Sequence, residues 1–458
     1  MPGRQPRPAR TADRGGRPGG VRHLLRAAGA LGRGPVAAEH AGRPLPRASD
    51  GGREPRPGRG RGVMGRHILF ATIPAWGHTY PVLYGAAELR RRGHRVSCLA
   101  SPRFAAEVAK VADPVPYDSP MDSDVGRAEL ADMSKVLRLM LQETRASFAA
   151  LERVVRADPP DLLVSDVLNM AGWLVSRRFD LPLVRTWPIF ASNEHFSLHQ
   201  DYQSRTDDEE SMRGFFAEAA DFLDGVGLGS ISPMEFFESQ AERNIALFPR
   251  SLQPRGETFD SRYTFVAPCI RPPEESPDVP WLRAARPLAA VSLGTVFNEQ
   301  NKTGFFRACV EGLEQLGWHA AVALGDKVRP EDVGPVSGRV LMRARLPMID
   351  TLQHAAVSIS HGGLTSTVEA LAQGVPVLIA PQIGEQHAVA DSVERLGLGV
   401  RLREPFTGAE LAKTVKSVVD DADMARRLAE FRRTLLSDRR GGEFADTVER
   451  ELAGQAES

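Results

Sequence analysis

Along the chain, short apolar runs alternate with longer stretches in which apolar residues recur every three or four positions. That pattern is expected of buried strands separated by amphipathic helices. Residues 67–73 form the first apolar run, closed by Pro74, and predict a strand buried on both faces. The helix expected next carries Val82, Leu83, Ala86 and Leu89 on one face, with Arg90 to Arg92 and Gly93 supplying cations and a glycine at its end. Further strands are predicted over 95–100, 161–166, 182–186, 244–248 and 263–266. Ser101 and Pro102 read as the cap and first position of another helix, and 128–157 as a long helix within a less regular stretch. Residues 207–226 open on four acids and then space Met212, Phe215, Phe216, Ala219, Phe222 and Leu223 helically, a stripe better suited to core than to acceptor contact.

The alternation resumes after residues 268–287, which hold six prolines and little periodicity and read as a linker. Strands are expected over 288–293, 318–324, 356–360 and 375–380, and helices over 302–316, 386–396, 411–419, 424–436 and 444–452. The expected organisation is α/β, with two doubly wound, Rossmann-like domains at 64–267 and 288–436 and a C-terminal helix within 437–458. Residues 1–63 fit neither, being Arg, Gly and Pro in nearly every second position. Too few large apolar side chains are present there to offset the entropy of ordering, so disorder is expected. Met64 directly before the first strand, and only six Lys beside 52 Arg, fit upstream sequence translated from an early start better than a nucleic-acid-binding arm.

Net charge changes the picture once it is divided. Residues 1–63 carry fourteen Arg against four acids, so the remaining chain has a surplus of ten acids behind an overall charge of zero. A mildly acidic body gives no footprint for nucleic acid. Cys98, Cys269 and Cys309 are far apart and lack metal-ligand spacing, which fits a reducing cytoplasm. No apolar run approaches the ~18 residues of a membrane span, so stable insertion is not expected.

Two places carry chemistry. In the expected βαβ unit at 356–380, His361, Gly362 and Gly363 open a helix followed by Thr365, Ser366 and Thr367. Free backbone N–H groups and small hydroxyls there suit a phosphate, and Glu369 lies within reach of an attached ribose, so the expected ligand is a nucleotide diphosphate. At the first strand's end, His78 follows Gly77 and is the best general base, since imidazole titrates near working pH. Asp166 ends another strand at the edge where such sheets keep their sites.

The spacing His361-x-Gly363-x-x-Ser366-x-x-Glu369, followed by Pro381-Gln382 and Glu385-Gln386, resembles the donor motif of the family 1 UDP-glycosyltransferases, in particular the bacterial macrolide glycosyltransferase branch. The likeness spans about 66–450 and includes Ser292-Leu293-Gly294-Thr295 and Trp76-Gly77-His78. It implies the GT-B fold, with the two domains facing across a cleft and the last segment crossing back to the first. It also implies an inverting, metal-independent transfer of a hexose or deoxyhexose from a UDP- or dTDP-sugar to a hydroxyl of a small apolar natural product. By the same resemblance His78 is the base, Asp166 holds and stabilises it, Thr295 and His361 meet the phosphates, and Glu385 and Gln386 hold the sugar. Arg345 stands where relatives stack a Trp on uracil, Met348 where they usually carry Gln, and Glu385 where Asp is more frequent. Base and sugar preference therefore stay open. A nucleotide-sugar epimerase on the same scaffold and a non-catalytic nucleotide-sugar binder remain the alternatives.

Overall fold

The structure, a computed structural model, describes residues 65–123, 133–202, 209–239, 241–268, 270, 273, 275–294, 302–436 and 441–454. The expected N-terminal extension, the first residues of the expected 128–157 helix, and Thr295 lie outside them.

Among the described residues, thirteen strands form two parallel sheets. The first joins β1 (His67–Ala71), β2 (Arg95–Ala100), β3 (Asp113–Pro116), β4 (Leu162–Asp166), β5 (Leu183–Trp187), β6 (Asn244–Ala246) and β7 (Tyr263–Phe265) in the order β3-β2-β1-β4-β5-β6-β7. The second joins β8 (Leu288–Ser292), β9 (His319–Ala323), β10 (Val340–Arg343), β11 (Val357–Ser360), β12 (Val377–Ile379) and β13 (Gly399–Arg401) in the order β10-β9-β8-β11-β12-β13. Continuous apolar runs are what such strands require, because helices cover both faces. In β1, Ile68 and Phe70 enter one apolar cluster while Leu69 and Ala71 enter another, as the two-residue repeat of a strand dictates.

Seven helices bear on the site. They are α1 (Trp76–Arg91), α2 (Met133–Ala157), α3 (Leu198–Tyr202), α4 (Glu209–Gly225), α5 (Leu364–Ala372), α6 (Gly384–Leu396) and α7 (Gly442–Gly454). α1 ends on Arg90 and Arg91, with Gly93 in the left-handed region at φ +91°. α7 returns to the first sheet, where Phe444, Ala445, Val448 and Leu452 share a core with Ile68, Phe70 and Leu89. Its Arg92 contacts, 2.6 Å to Asp446 and 2.7 Å to Glu449, fasten the outer face. The described part of the α4 stripe is core: Phe215, Ala219 and Leu223 are buried, with Phe216 and Phe222 packed against them.

Several expectations are corrected. Ser101 does not cap a helix with its side chain; its carbonyl accepts from Phe104 and Ala105, and the helix begins at Ala105. β3, β10 and β13 were not anticipated, and the Pro-rich stretch at 268–287 contains a helix, Val279–Ala284. Two prolines in the four residues of β3 disguise it, and it is tolerated because it lies at the sheet edge. Among the described residues no helix is long and apolar enough to cross a membrane.

Candidate active site

In each sheet the strand order reverses direction once, and a crevice opens at the carboxyl ends of the two strands flanking the reversal. In the first sheet that point lies between β1 and β4; in the second, between β8 and β11. His78 follows β1 and Asp166 ends β4, whereas Gly294 follows β8 and His361 follows β11. Both constellations read from the sequence therefore sit at switch points.

His78 Nδ1 lies 2.8 Å from Asp166 Oδ2, and the Asp166 side chain is fully buried. The other carboxylate oxygen, Oδ1, accepts the Leu168 N–H at 2.7 Å. Asp166 is thus held at both oxygens, and an ionised acceptor fixes the proton of neutral His78 on Nδ1, leaving Nε2 as the lone-pair nitrogen. Burial by itself would lower the proton affinity of His78. The charge and hydrogen bond of Asp166, joined by the charge of Glu385, outweigh it and hold the imidazole above its ordinary value. α1 begins at Trp76, so both Gly77 and His78 belong to its first turn.

Beside this pair lies a small apolar cluster. Ile73, Met121 and Leu139 are buried, with Ala75, Met140 and Leu168 packed around them. Ala75 caps α1 and Leu168 holds Asp166, so apolar surface and dyad share a border.

Opposite, His361 is wedged between two glycines. A Cβ at Gly294, where φ is +75°, would stand 2.6 Å from His361 Cε1, and one at Gly363 would stand 2.9 Å from Nε2. Only glycine leaves room for the ring at either side. Burial lowers His361 to about 4, so near neutrality it is an uncharged imidazole, and its buried Nδ1 has no partner. The hydroxyls of Ser292 and Ser360 accept the N–H groups of Gly294 and Gly362, each at 3.2 Å, giving the β8 and β11 ends matching turns.

The expected hydroxyl caps of α5 are not used as caps. The N-cap is Gly363, which has no side chain to offer, and Thr365 Oγ1 instead donates 3.0 Å across to the Gly77 carbonyl in α1. That bond places the first turns of α1 and α5 against each other. Burial raises the proton affinity of the Glu385 carboxyl, against the charge of His78 and the backbone N–H of Leu364 at the start of α5. Glu385 therefore lies within electrostatic reach of both the dyad and the start of α5. Thr367 is fully buried with its hydroxyl unpartnered, Glu369 is buried on the same helix, and Ser366 shares its first turn. Gln386 is buried and accepts the Gln382 N–H at 2.8 Å.

Arg345 follows β10, at the same carboxyl edge, but is more than half exposed, with its guanidinium 3.5 Å from Asp326. Its partner is thus a surface acid rather than a member of the His361 cluster. Gln382 belongs to the donor motif quoted from the sequence but was given no role there; its buried Nε2 lacks a partner, as do His361 Nδ1 and the Thr367 hydroxyl.

Two doubly wound domains with paired sites at their switch points define the GT-B architecture, and the chain's likenesses identify it as that of a glycosyltransferase. Residues 313–450 match the family described as erythromycin biosynthesis protein CIII-like, C-terminal domain. The NDP-glycosyltransferase YjiC of Bacillus licheniformis is 32% identical over 397 residues, which is 85% of this chain and 98% of that protein. The demethyllactenocin mycarosyltransferase of Streptomyces fradiae is 34% identical over 385 residues, covering 80% and 82% respectively. Among solved structures, the calicheamicin glycosyltransferase CalG4 is similar with a TM-score of 0.70 at 33% identity, covering 85% of this chain and 98% of its own. The chain belongs to the bacterial family 1 glycosyltransferases.

Proposed function

We propose that this glycosyltransferase moves a hexose or deoxyhexose from a UDP- or dTDP-sugar to a hydroxyl of a small apolar natural product, with inversion at the anomeric carbon. His78 Nε2 takes the acceptor's proton as its oxygen attacks, and Asp166 stabilises the imidazolium that forms. The observation that carries this reading is the 2.8 Å His78–Asp166 bond facing Glu385 and the start of α5.

On the leaving side, the α5 N-terminus and an N–H of neutral His361 meet the diphosphate as its charge grows, assisted by Thr295, Thr365, Ser366 and Thr367. Gly363 keeps the backbone close to it. Helix end and hydrogen bonds supply the stabilisation, so no metal and no cofactor besides the nucleotide-sugar co-substrate is required. Glu369 holds the ribose, and Glu385 and Gln386 hold the sugar hydroxyls. Arg345 offers a guanidinium plane to the base, which it can do only by leaving Asp326.

The apolar cluster of Ile73, Met121 and Leu139 beside the dyad supports an apolar acceptor. So do the names of two relatives, which carry demethyllactenocin and calicheamicin. Cys98 and Cys309 are buried free thiols, as a cytoplasmic enzyme permits.

Incubating UDP- and dTDP-sugars with and without aglycones, read by mass spectrometry, tests the proposal. Transfer that falls by about 10²- to 10⁴-fold in His78→Ala is expected. Acceptor-free isomerisation would point instead to an epimerase, and no turnover to a binder.

A further inference from the structure

β5 carries a cation that neither the donor nor the acceptor side requires. Arg185 is among the largest fully buried side chains of the molecule, 1% exposed. A buried guanidinium without compensation is strongly unfavourable, so its surroundings report what it serves. Its Nη1 donates 3.1 Å to the Ser239 carbonyl and its Nη2 donates to the Val167 carbonyl, while Nε is buried without a partner. Neither contact is an ion pair. Val167 follows Asp166 directly, and the register pairs Ser165 with Arg185 and Asp166 with Thr186. The Val167 N–H donates to the Thr186 carbonyl at 2.9 Å. Peptide groups on both sides of Val167 are therefore held from β5, and the same turn presents the Leu168 N–H to Asp166.

We propose that Arg185 is a positioning residue for the transfer: it fixes the 166–168 turn and supplies the buried positive charge that balances Asp166 beneath His78. This rests on the reading of His78 as the base. The acidic partner it senses electrostatically is Asp166, which favours its charged form, whereas burial brings Arg185 down to about 10. It stays charged at neutral pH. The charged groups that act on the dyad are then Arg185 from β5, through Asp166, and Glu385 from α6, through His78, and they are of opposite sign.

The sign of the effect follows. A free enzyme ready to react has neutral His78 over charged Asp166, and acid inactivates it by adding one proton to that pair. A neighbouring positive charge opposes the added proton, so removing it lets the pair take up the proton at higher pH.

The test is the pH profile of kcat/KM for Arg185→Lys, Arg185→Gln and Arg185→Met beside His78→Ala. Arg185→Gln keeps N–H donors for the two carbonyls and removes the charge, so it decides the matter if Arg185→Met fails to fold. The acid limb is expected to move up by about one pH unit in the Gln and Met variants, with Lys restoring it. Their kcat is expected to fall by about 10- to 10²-fold with little change in donor KM. A lower melting temperature with the limb unmoved in Gln and Met would overturn the proposal while leaving the base intact. Undiminished transfer by His78→Ala would remove the base assignment, and this proposal with it.

Discussion

Imidazoles stand at both switch points, yet their surroundings give them different properties. His78 has a buried carboxylate at 2.8 Å and holds protons more tightly than usual; His361 has glycines and apolar backbone around it and holds them less tightly. A base must be neutral to act, so with His78 as the proposed base activity is expected to fall as pH drops through its raised value. The limb of kcat/KM should accordingly lie above the ordinary imidazole value of 6.5. Replacing Asp166 by Asn removes the charge that raises it, so the acid limb of Asp166→Asn should move to lower pH while kcat drops, as a pH–rate series would record. A limb that shifts as the rate falls distinguishes this from a general loss of structure, which would leave the limb in place. Both histidines could be singled out in the sequence because each follows an apolar run at a glycine. Arg185 could not, since within a strand-forming segment a cation reads as an edge residue, and only the neighbouring strand reveals that it is enclosed.

At the scale of elements, the ends of β8 and β11 and the start of α5 make one assembly around a ring. Serines bind the next-but-one N–H in each turn, and glycines clear the ring's two faces. A methyl at Gly294 would have to adopt a φ of +75° and share space with the imidazole. Gly294→Ala is therefore expected to push His361 out of line and raise the donor KM. Losing one hydrogen bond to a charged group costs about 1.5–3 kcal/mol, so the rise should be about 10- to 100-fold, measured with acceptor saturating. The elements themselves were largely legible, because strands covered on both faces must be continuously apolar and the helices between them one-sided. The exceptions are physical too. β13 is three residues long, too short for a period to emerge, and β3 holds prolines that only an edge strand can carry. The hydroxyls of α5 do not cap it because the N-cap position falls on Gly363, and that of Thr365 donates instead to the Gly77 carbonyl, 288 residues away in sequence.

For the molecule as a whole, the C-terminal helix is part of the first sheet's packing. Phe444 sits over Phe70 with ring centroids 6.2 Å apart, in space left by Gly85 of α1. A Cβ at Gly85 would lie 2.2 Å from Phe444 Cδ1. Overpacking of this kind costs about 1–3 kcal/mol, so Gly85→Ala should lower the unfolding free energy by that amount, read from urea unfolding. Phe444→Ala added to it should relieve part of the strain, leaving the double variant less destabilised than the two losses added together. The juxtaposition of the two switch points was foreseeable only through resemblance to known enzymes, since periodicity within either half says nothing about how the halves meet.

The hydroxyl of Thr365 resting on the Gly77 carbonyl has an implication for how such catalysts diversify. On the proposed mechanism it sets the span between proton taker and departing diphosphate from inside the polypeptide, independently of whatever surfaces would grip the aglycone. Those surfaces can then be exchanged as a tailor alters a sleeve, with the seam where bonds would be made and broken left at its original stitch.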